Sequence, residues 1–125
     1  MKDPNPELGC VSGGVWSTPP VCEEPVINLV RWRVVEVKSK EGLIERHYVG
    51  YNIGGFEGRV STAMCGFNPE TARGTTESGR IYQLIGPAGY DADAEYVWRL
   101  WSAANEVTEE RDVSMEVEQL IREVS

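Results

Sequence analysis

The sequence predicts one α+β domain in which an antiparallel meander of about five strands is followed by two C-terminal helices. Turn signals recur at regular intervals over residues 40–80, with no helical period between them, which is typical of strands joined by hairpins. After residue 90 the apolar residues instead recur with the period of an α-helix, in two stretches. A Pro/Gly-rich arm over residues 1–25 precedes the domain, which we place at residues 26–125.

Four turn signals separate the predicted strands. They are Lys40-Glu41-Gly42, Asn52-Ile53-Gly54-Gly55, Asn68-Pro69-Glu70-Thr71 and Glu77-Ser78-Gly79-Arg80. Gly42 and Gly79 can adopt the positive φ that tight turns need, and Pro69 presets the φ of a type I turn. Residues 59–67 alternate as one strand. The polar run 72–78 is predicted to be the weakest strand, and we place it at an edge of the sheet.

The first long strand is predicted from Val26 to Lys38, and the next from Leu43 to Asn52. Along the first strand, Trp32 shares a face with valines while arginines point to the other face. The character of the two faces changes midway, which predicts either a β-bulge or a strand that crosses from an exposed to a covered region.

The first predicted helix carries one apolar stripe, formed by Ala94, Val97, Trp98, Trp101 and Ala104. Asp91 is a good N-cap, and Asn105 can end the helix. We expect both indoles to pack on the sheet, because tryptophan is usually buried. The alternative is a surface that faces a partner, since two exposed indoles would form an apolar patch.

A second predicted helix ends the chain. Its apolar stripe consists of Val113, Val117, Leu120, Ile121 and Val124. Either Ser114 or Asp112 can cap its N-terminus.

The composition of residues 1–25 is typical of a flexible arm, because prolines exclude helix and glycines loosen the backbone. Val11, Val15, Trp16 and Val21 could hold this arm in place, either on its own domain or on a neighbouring subunit. The second arrangement is the basis for a predicted homodimer.

The net charge of −8 is unevenly distributed. Residues 91–125 contain three Arg against ten Asp and Glu, whereas residues 31–90 contain eight Lys and Arg against six Asp and Glu. Such a surface repels nucleic acid and favours a basic protein partner, although an acidic face also serves solubility. The strand arginines can equally pair with the acidic helices inside the chain.

Membrane, metal and disulfide signals are weak. No run approaches the ~20 apolar residues of a membrane span, and no secretory signal is visible, so we expect a cytoplasmic protein without membrane contact. The three cysteines, Cys10, Cys22 and Cys65, do not suggest a disulfide framework. Together with His47 they lack zinc-ligand spacing, so we expect no metal and no cofactor.

His47 is the one histidine of the chain, and Glu45 lies two residues away on the same strand face. The two side chains could act as general acid and base if a pocket adjoined them, whereas a surface cross-strand pair is the plainer interpretation. No nucleophile, phosphate-loop or dinucleotide motif accompanies this pair.

Aromatic and arginine side chains on the predicted strands offer a second kind of site. They could line a pocket for a flat or anionic ligand, and the candidates are Trp32, Tyr48, Tyr51, Tyr82 and Arg80.

The runs Thr76-Glu77-Ser78-Gly79-Arg80-Ile81-Tyr82-Gln83-Leu84-Ile85-Gly86 and Tyr90-Asp91-Ala92-Asp93-Ala94-Glu95-Tyr96-Val97-Trp98 carry a resemblance. They resemble small bacterial proteins whose accessory genes travel on phage, plasmids or integron cassettes. The resemblance implies no activity, and it transfers no catalytic residue.

The leading functional hypothesis is a non-enzymatic binding or regulatory protein, acting as a homodimer through an acidic helical face or an aromatic sheet face. The alternatives are a small-ligand-binding protein with the aromatic pocket, and an enzyme that uses Glu45 and His47.

Overall fold

The computed structural model describes the backbone of residues 8–11 and 14–17, and both backbone and side chains of residues 21 and 23–125. The described residues form nine strands and two helices. They are β1 (Leu8–Val11), β2 (Gly14–Ser17), β3 (Val26–Lys38), β4 (Ile44–Asn52), β5 (Glu57–Val60), β6 (Met64–Asn68), β7 (Arg73–Thr76), β8 (Ile81–Leu84), α1 (Ala92–Ala104), β9 (Glu109–Asp112) and α2 (Ser114–Val124). The α+β class and the C-terminal helix pair are confirmed.

All nine strands belong to one mixed sheet with the order β2-β1-β5-β4-β3-β8-β7-β6, and β9 pairs with the second half of β3. Strands β3 and β8 pair in parallel, while the other pairs are antiparallel. The prediction of a purely antiparallel meander of about five strands was therefore wrong in the number of strands and in their direction.

The parallel pair follows from the way the meander closes. Strand β5 pairs with β4, strand β6 pairs with β7, and the link 61–63 between them still bonds to β4, because the Ser61 amide donates to the Tyr48 carbonyl. The chain thus passes in turn through β3, β4, the run 57–68, β7 and β8, and β8 pairs with β3. These strands form a closed ring. A meander with an odd number of strands can close only if its first and last strands run in parallel.

The predicted turns join the strands where the sequence places them. Gly42 and Gly79 adopt φ values of +86° and +88°, and the amide of each donates to a carbonyl three residues earlier. The Asn68 side chain accepts a 2.9 Å hydrogen bond from the Glu70 amide, which fixes the third turn. The second turn lies between β4 and β5, as predicted.

The predicted bulge in β3 is confirmed. The pairing of β3 with β4 shifts register between Val30 and Arg33, and Arg31 takes a φ of +47°. Because the bulge reverses the alternation, Leu29 and Trp32 lie on the same side of the sheet although they are three positions apart. The guanidinium of Arg31 lies over the Tyr51 ring, 5.0 Å from its centroid.

Helix α1 covers one face of the sheet, as predicted. The Asp91 carboxylate accepts a hydrogen bond from the Ala94 amide and caps the N-terminus, and Asn105 ends the helix. Trp98 and Trp101 are 3% and 1% exposed, and their rings stack with centroids 5.3 Å apart. Gly58 on β5 leaves no room for a Cβ atom, because the backbone of α1 passes there.

The inside of the strand ring is filled by a hydrophobic core, which is separate from the core between α1 and the sheet. Its buried members are Ile27, Leu29, Trp32, Val34, Tyr48, Tyr82, Leu84, Val113 and Val117. Val117 of α2 and Val113, directly before the helix, belong to this core, and Asp112 rather than Ser114 accepts the hydrogen bond at the helix start. The Ser114 hydroxyl instead accepts a bond from the Val34 amide, which ties α2 to β3.

Three further sequence predictions require correction. The run 72–78 does not lie at an edge, because β7 lies between β6 and β8 and Gly74 is buried against Tyr48. The run 59–67 is divided at residues 61–63, because β5 and β6 pair with different strands. Part of the predicted arm forms strands, since β1 pairs with β5 of the same chain. The side chains of Val11, Val15 and Trp16 lie outside the described residues, and the homodimer stays a prediction.

Candidate functional site

The aromatic side chains that could have lined a ligand pocket lie in the core instead. Trp32, Tyr48 and Tyr82 are between 0 and 1% exposed. The Trp32 indole donates a 3.0 Å hydrogen bond to the carbonyl of Gly86, and the two tyrosine rings stack with centroids 5.3 Å apart. These rings fill the interior of the strand ring themselves.

The other two members of that predicted set are separated from each other. Arg80 is 2% exposed at the start of β8, whereas Tyr51 is half-buried at the end of β4 beneath Arg31. The structure therefore gathers Trp32, Tyr48 and Tyr82 as core residues and does not bring all five candidates to one surface.

The candidate pair Glu45 and His47 does come into contact. The Nε2 atom of His47 lies 3.2 Å from Oε2 of Glu45, and Nδ1 lies 2.9 Å from the Ser61 carbonyl oxygen. His47 is fully buried, while the Glu45 side chain is 19% exposed. The prediction of a surface pair therefore holds for Glu45, whose carboxylate reaches solvent, and fails for His47, whose imidazole does not.

The environment of His47 is mostly apolar. The Trp101 ring lies 4.4 Å from the imidazole between centroids, and the Trp98 ring lies 6.5 Å away. Burial lowers the pKa of His47 below 6.5, against the raising effects of the Ser61 carbonyl and the Glu45 carboxylate. A neutral imidazole is the form that this environment favours.

Three surface hollows meet at the start of β4. The first, of about 470 Å³, lies between β9 and Ile44, and the second, of about 370 Å³, lies between Ile44, Glu45 and β6. The third, of about 500 Å³, lies between the β3–β4 turn and the end of α1, and it is lined by Leu43 and Glu45. Residues 43–45 therefore form a ridge, and we call this ridge with the walls of its three hollows the hairpin-end surface.

The hairpin-end surface combines exposed apolar side chains with an excess of carboxylates. Leu43 and Ile44 are each 60% exposed, because the β3–β4 pairing ends at the pair Lys38 and Ile44. The charged side chains that line the hollows are Glu36, Glu41, Glu45, Glu77, Glu106, Glu109 and Glu110 against Lys38, Lys40, Arg46 and Arg111. Seven carboxylates against four cations leave the surface negatively charged.

A closed ring of four ion pairs borders the first two hollows. Glu36 contacts Arg46 at 3.1 Å and Arg111 at 2.9 Å, and Glu116 contacts the same two arginines at 3.0 and 3.3 Å. The four side chains come from β3, β4, β9 and α2, so the ring holds the terminal helix beside the hairpin-end surface. It extends the predicted internal pairing of strand arginines, which also joins Arg33 to Glu95 at 2.7 Å.

A buried charge cluster lies at the other end of β4. Arg59 is fully buried and donates hydrogen bonds to Glu24 and to Glu57, and the Asn52 amide also contacts Glu24. Burial raises the pKa of Glu57, while Arg59 acts in the opposite direction. Because Glu24 precedes β3, this cluster ties the segment before β3 to the sheet.

The comparisons with known proteins give no relative: no protein-family model, curated protein or solved structure matches the chain. In the described part of the chain, neither helix has the length and apolar character needed to cross a membrane. The same residues contain no group of three or more His, Cys, Asp and Glu side chains placed to hold a metal ion. Cys65 is exposed, whereas Cys22 and the Cys10 side chain lie outside the described residues.

Leu43 and Ile44 were not predicted from the sequence to be surface residues. Their position directly after a hairpin turn was visible, but an apolar residue there reads equally well as the start of a buried strand. Only the packing shows that the sheet ends at Ile44 and that both side chains stay exposed.

Proposed function

We propose that the protein is a non-enzymatic binding protein that recognises a basic, partly apolar segment of another protein at the hairpin-end surface. The observation that carries this proposal is the exposure of Leu43 and Ile44, at 60% each, on a ridge between three hollows. Neighbouring hollows give the side chains of a partner places to pack, so the ridge offers more than isolated exposed residues would.

The negative charge of the hairpin-end surface supports the proposal that the partner is basic. The excess of carboxylates around the ridge attracts cationic side chains and speeds their association, and it disfavours nucleic acid. The apolar ridge would supply affinity, because desolvated apolar anchors at the centre of an interface carry most of the binding free energy.

Internal contacts occupy carboxylates of the acidic helical face, as they occupy Glu36 and Glu106 at the hairpin-end surface, so the ridge between three hollows is what favours the latter. Glu95 of α1 is bound to Arg33, and Glu116 of α2 belongs to the ring of ion pairs. Glu118 accepts a 2.7 Å hydrogen bond from the Ala88 amide. These carboxylates already hold the helices on the sheet, and a partner would have to compete with those contacts.

Calorimetric titration with a decapeptide of alternating Lys and Leu tests the proposal. We expect the peptide to bind, and the double substitution Leu43→Ser with Ile44→Ser to weaken binding about tenfold or more. Phe56→Asn is the matched control, because Phe56 is 76% exposed beyond the opposite end of β4 and has a φ of +52° that Asn tolerates. Equal affinity of the double variant, or equal binding of an alternating Glu and Leu peptide, would reject the proposed surface.

The contact between Glu45 and His47 is the observation on which an enzymatic alternative depends. Because the imidazole is fully buried, only the Glu45 carboxylate could contact a substrate. We therefore assign the pair a role in regulating binding rather than in catalysis.

A further inference from the structure

The tautomer of His47 follows from its hydrogen bond to the backbone. Nδ1 lies 2.9 Å from the carbonyl oxygen of Ser61, and a carbonyl oxygen can only accept. The Glu45 carboxylate opposite Nε2 likewise only accepts, so both ring nitrogens donate in the imidazolium. Because the Nδ1 contact is the shorter one, at 2.9 Å against 3.2 Å, we assign the single proton of the neutral imidazole to Nδ1. The remaining nitrogen, Nε2, is the one whose proton can come and go.

Nε2 faces the carboxylate of Glu45 at 3.2 Å. When Nε2 is protonated, the contact is a charge-assisted hydrogen bond between imidazolium and carboxylate. When Nε2 is bare, its lone pair faces the carboxylate oxygen, and the pair carries one net negative charge. The protonation state of one buried atom thus sets the charge of the pair.

Glu45 transmits that charge to the hairpin-end surface, because its side chain lines both the second and the third hollow. The charged groups around it are Lys40, Glu41 and Glu106 in the third hollow and Glu36, Arg46 and Glu77 in the second. On the α1 side, the apolar rings of Trp98 and Trp101 cover the imidazole, and Glu110 accepts a 2.9 Å hydrogen bond from the Trp98 indole. On the β3 side, Val35 and Val37 lie opposite His47 and Glu45.

We propose that the Glu45–His47 contact is a proton-linked switch that sets how strongly the hairpin-end surface binds a cationic side chain of its partner. The inference rests on the proposed function and adds its regulation. With Nε2 bare, Glu45 presents a full negative charge to the hollows. When Nε2 takes a proton from solvent, the imidazolium balances that charge from behind and the cation of the partner gains less. Burial, which lowers the pKa of His47, keeps the binding form populated at neutral pH.

Nitrogen NMR of the single histidine tests the switch without any ligand. From about pH 8 down to the lowest pH at which the protein stays folded, we expect Nδ1 to stay protonated and Nε2 to gain its proton, in keeping with the lowering of the His47 pKa by burial. A bare Nδ1 at any pH, or an Nε2 that is protonated throughout this range, would overturn the proposal.

Peptide binding over the same pH range tests the link to function. For the wild-type protein we expect affinity for the Lys-Leu decapeptide to fall about fivefold on acidification, as the loss of one partly exposed ion pair implies. His47→Gln keeps an amide that can donate to Ser61 but cannot titrate, so its affinity should stay constant with pH. Glu45→Gln, at a partly exposed position, should bind weakly at every pH, because the carboxylate that attracts the cation is gone.

The outcomes separate the two proposals. Binding of the peptide with an identical pH dependence in the wild type and in His47→Gln would overturn the switch and leave the binding surface standing. Absence of binding at every pH would overturn both. Backbone amide spectra of each variant must match those of the wild type, and the nitrogen NMR of wild-type His47 decides the matter where His47→Gln does not fold.

Discussion

The side chain of Tyr48 occupies the space that a Cβ atom on Gly74 would fill, so β7 passes the phenol group at backbone distance. This contact joins opposite sides of the strand ring, since β4 and β7 are not neighbours in the sheet. The phenol oxygen is buried and has no hydrogen-bond partner among the described residues. Close packing rather than a polar bond therefore holds the ring together at this point.

Gly74→Ala should be destabilising, because the new methyl group would force Tyr48 or β7 to move. We expect a loss of about 1–3 kcal/mol in the free energy of unfolding, measured by urea denaturation. Gly66→Ala is the matched control, since its added Cβ would meet its nearest neighbour at an ordinary 3.5 Å, and it should change stability by no more than about 0.5 kcal/mol. Equal effects of the two substitutions would contradict the packing of Tyr48 on Gly74.

Trp98→Ala should cost about 3–5 kcal/mol, because the indole is buried between α1 and the sheet and also donates a hydrogen bond to Glu110. The same urea measurement applies. Leu100→Ala removes a side chain of the same helix that is 42% exposed, so we expect a cost of about 1 kcal/mol or less. A small effect of Trp98→Ala would show that α1 does not depend on this indole.

Glu36→Gln should disturb the ring of ion pairs in a salt-dependent way. The hydrogen bonds from Arg111 and Arg46 hold the pKa of Glu36 below 4.5, so its contribution to stability is present above that pH and is lost as the pH falls. At neutral pH and low salt we expect a loss below about 1 kcal/mol, since the pairs remain in contact with solvent. In about 1 M salt the loss should nearly vanish. An equal loss at both salt concentrations would argue against an electrostatic role.

Glu57→Gln should change the pH dependence of stability in the opposite sense. Burial raises the pKa of Glu57 above 4.5, so the stabilisation linked to its proton is complete below pH 4.5 and is lost as the pH rises through the folded-state pKa. We expect the stability of the wild type, relative to the variant, to decline over that window. Unfolding free energies measured at intervals from about pH 4 to about pH 7 would show it. A relative stability that rises with pH would contradict the assigned shift.

Local signals predicted much of the fold. The turns depend on residues such as Gly42 and Gly79, and the cap of α1 depends on Asp91, so a few neighbouring residues determine each of them. The bulge in β3 was visible as a change of faces around Trp32. Each of these features is set by backbone geometry within a few residues, which a single sequence records directly.

Closure of the meander could not be predicted in the same way. Residues 59–67 alternate as one strand, and nothing local shows that β5 and β6 pair with different neighbours. Strand β9 consists of four exposed charged residues, and it forms because β3 is longer than its partner β8. These features depend on contacts between distant parts of the chain.

The candidate site was predicted only in part. The spacing of Glu45 and His47 placed both on one strand face, and the structure brings them into contact. Their different exposures depend on α1, whose Trp101 ring covers the imidazole from 54 residues away in the sequence. The aromatic residues did not show in the sequence whether they line a ligand pocket or fill a core. Both arrangements require the same residue types on the same strands.

Chemical-shift mapping of the Lys-Leu decapeptide on the wild-type protein tests the central claim most directly, because it locates the binding surface residue by residue. We expect the amide signals of residues 36–46 and 104–111 to shift in proportion to the bound fraction, while those around Phe56 and Tyr90 stay in place. Shifts concentrated on the outer faces of α1 and α2, or no shifts at saturating peptide, would contradict a binding site at the hairpin-end surface.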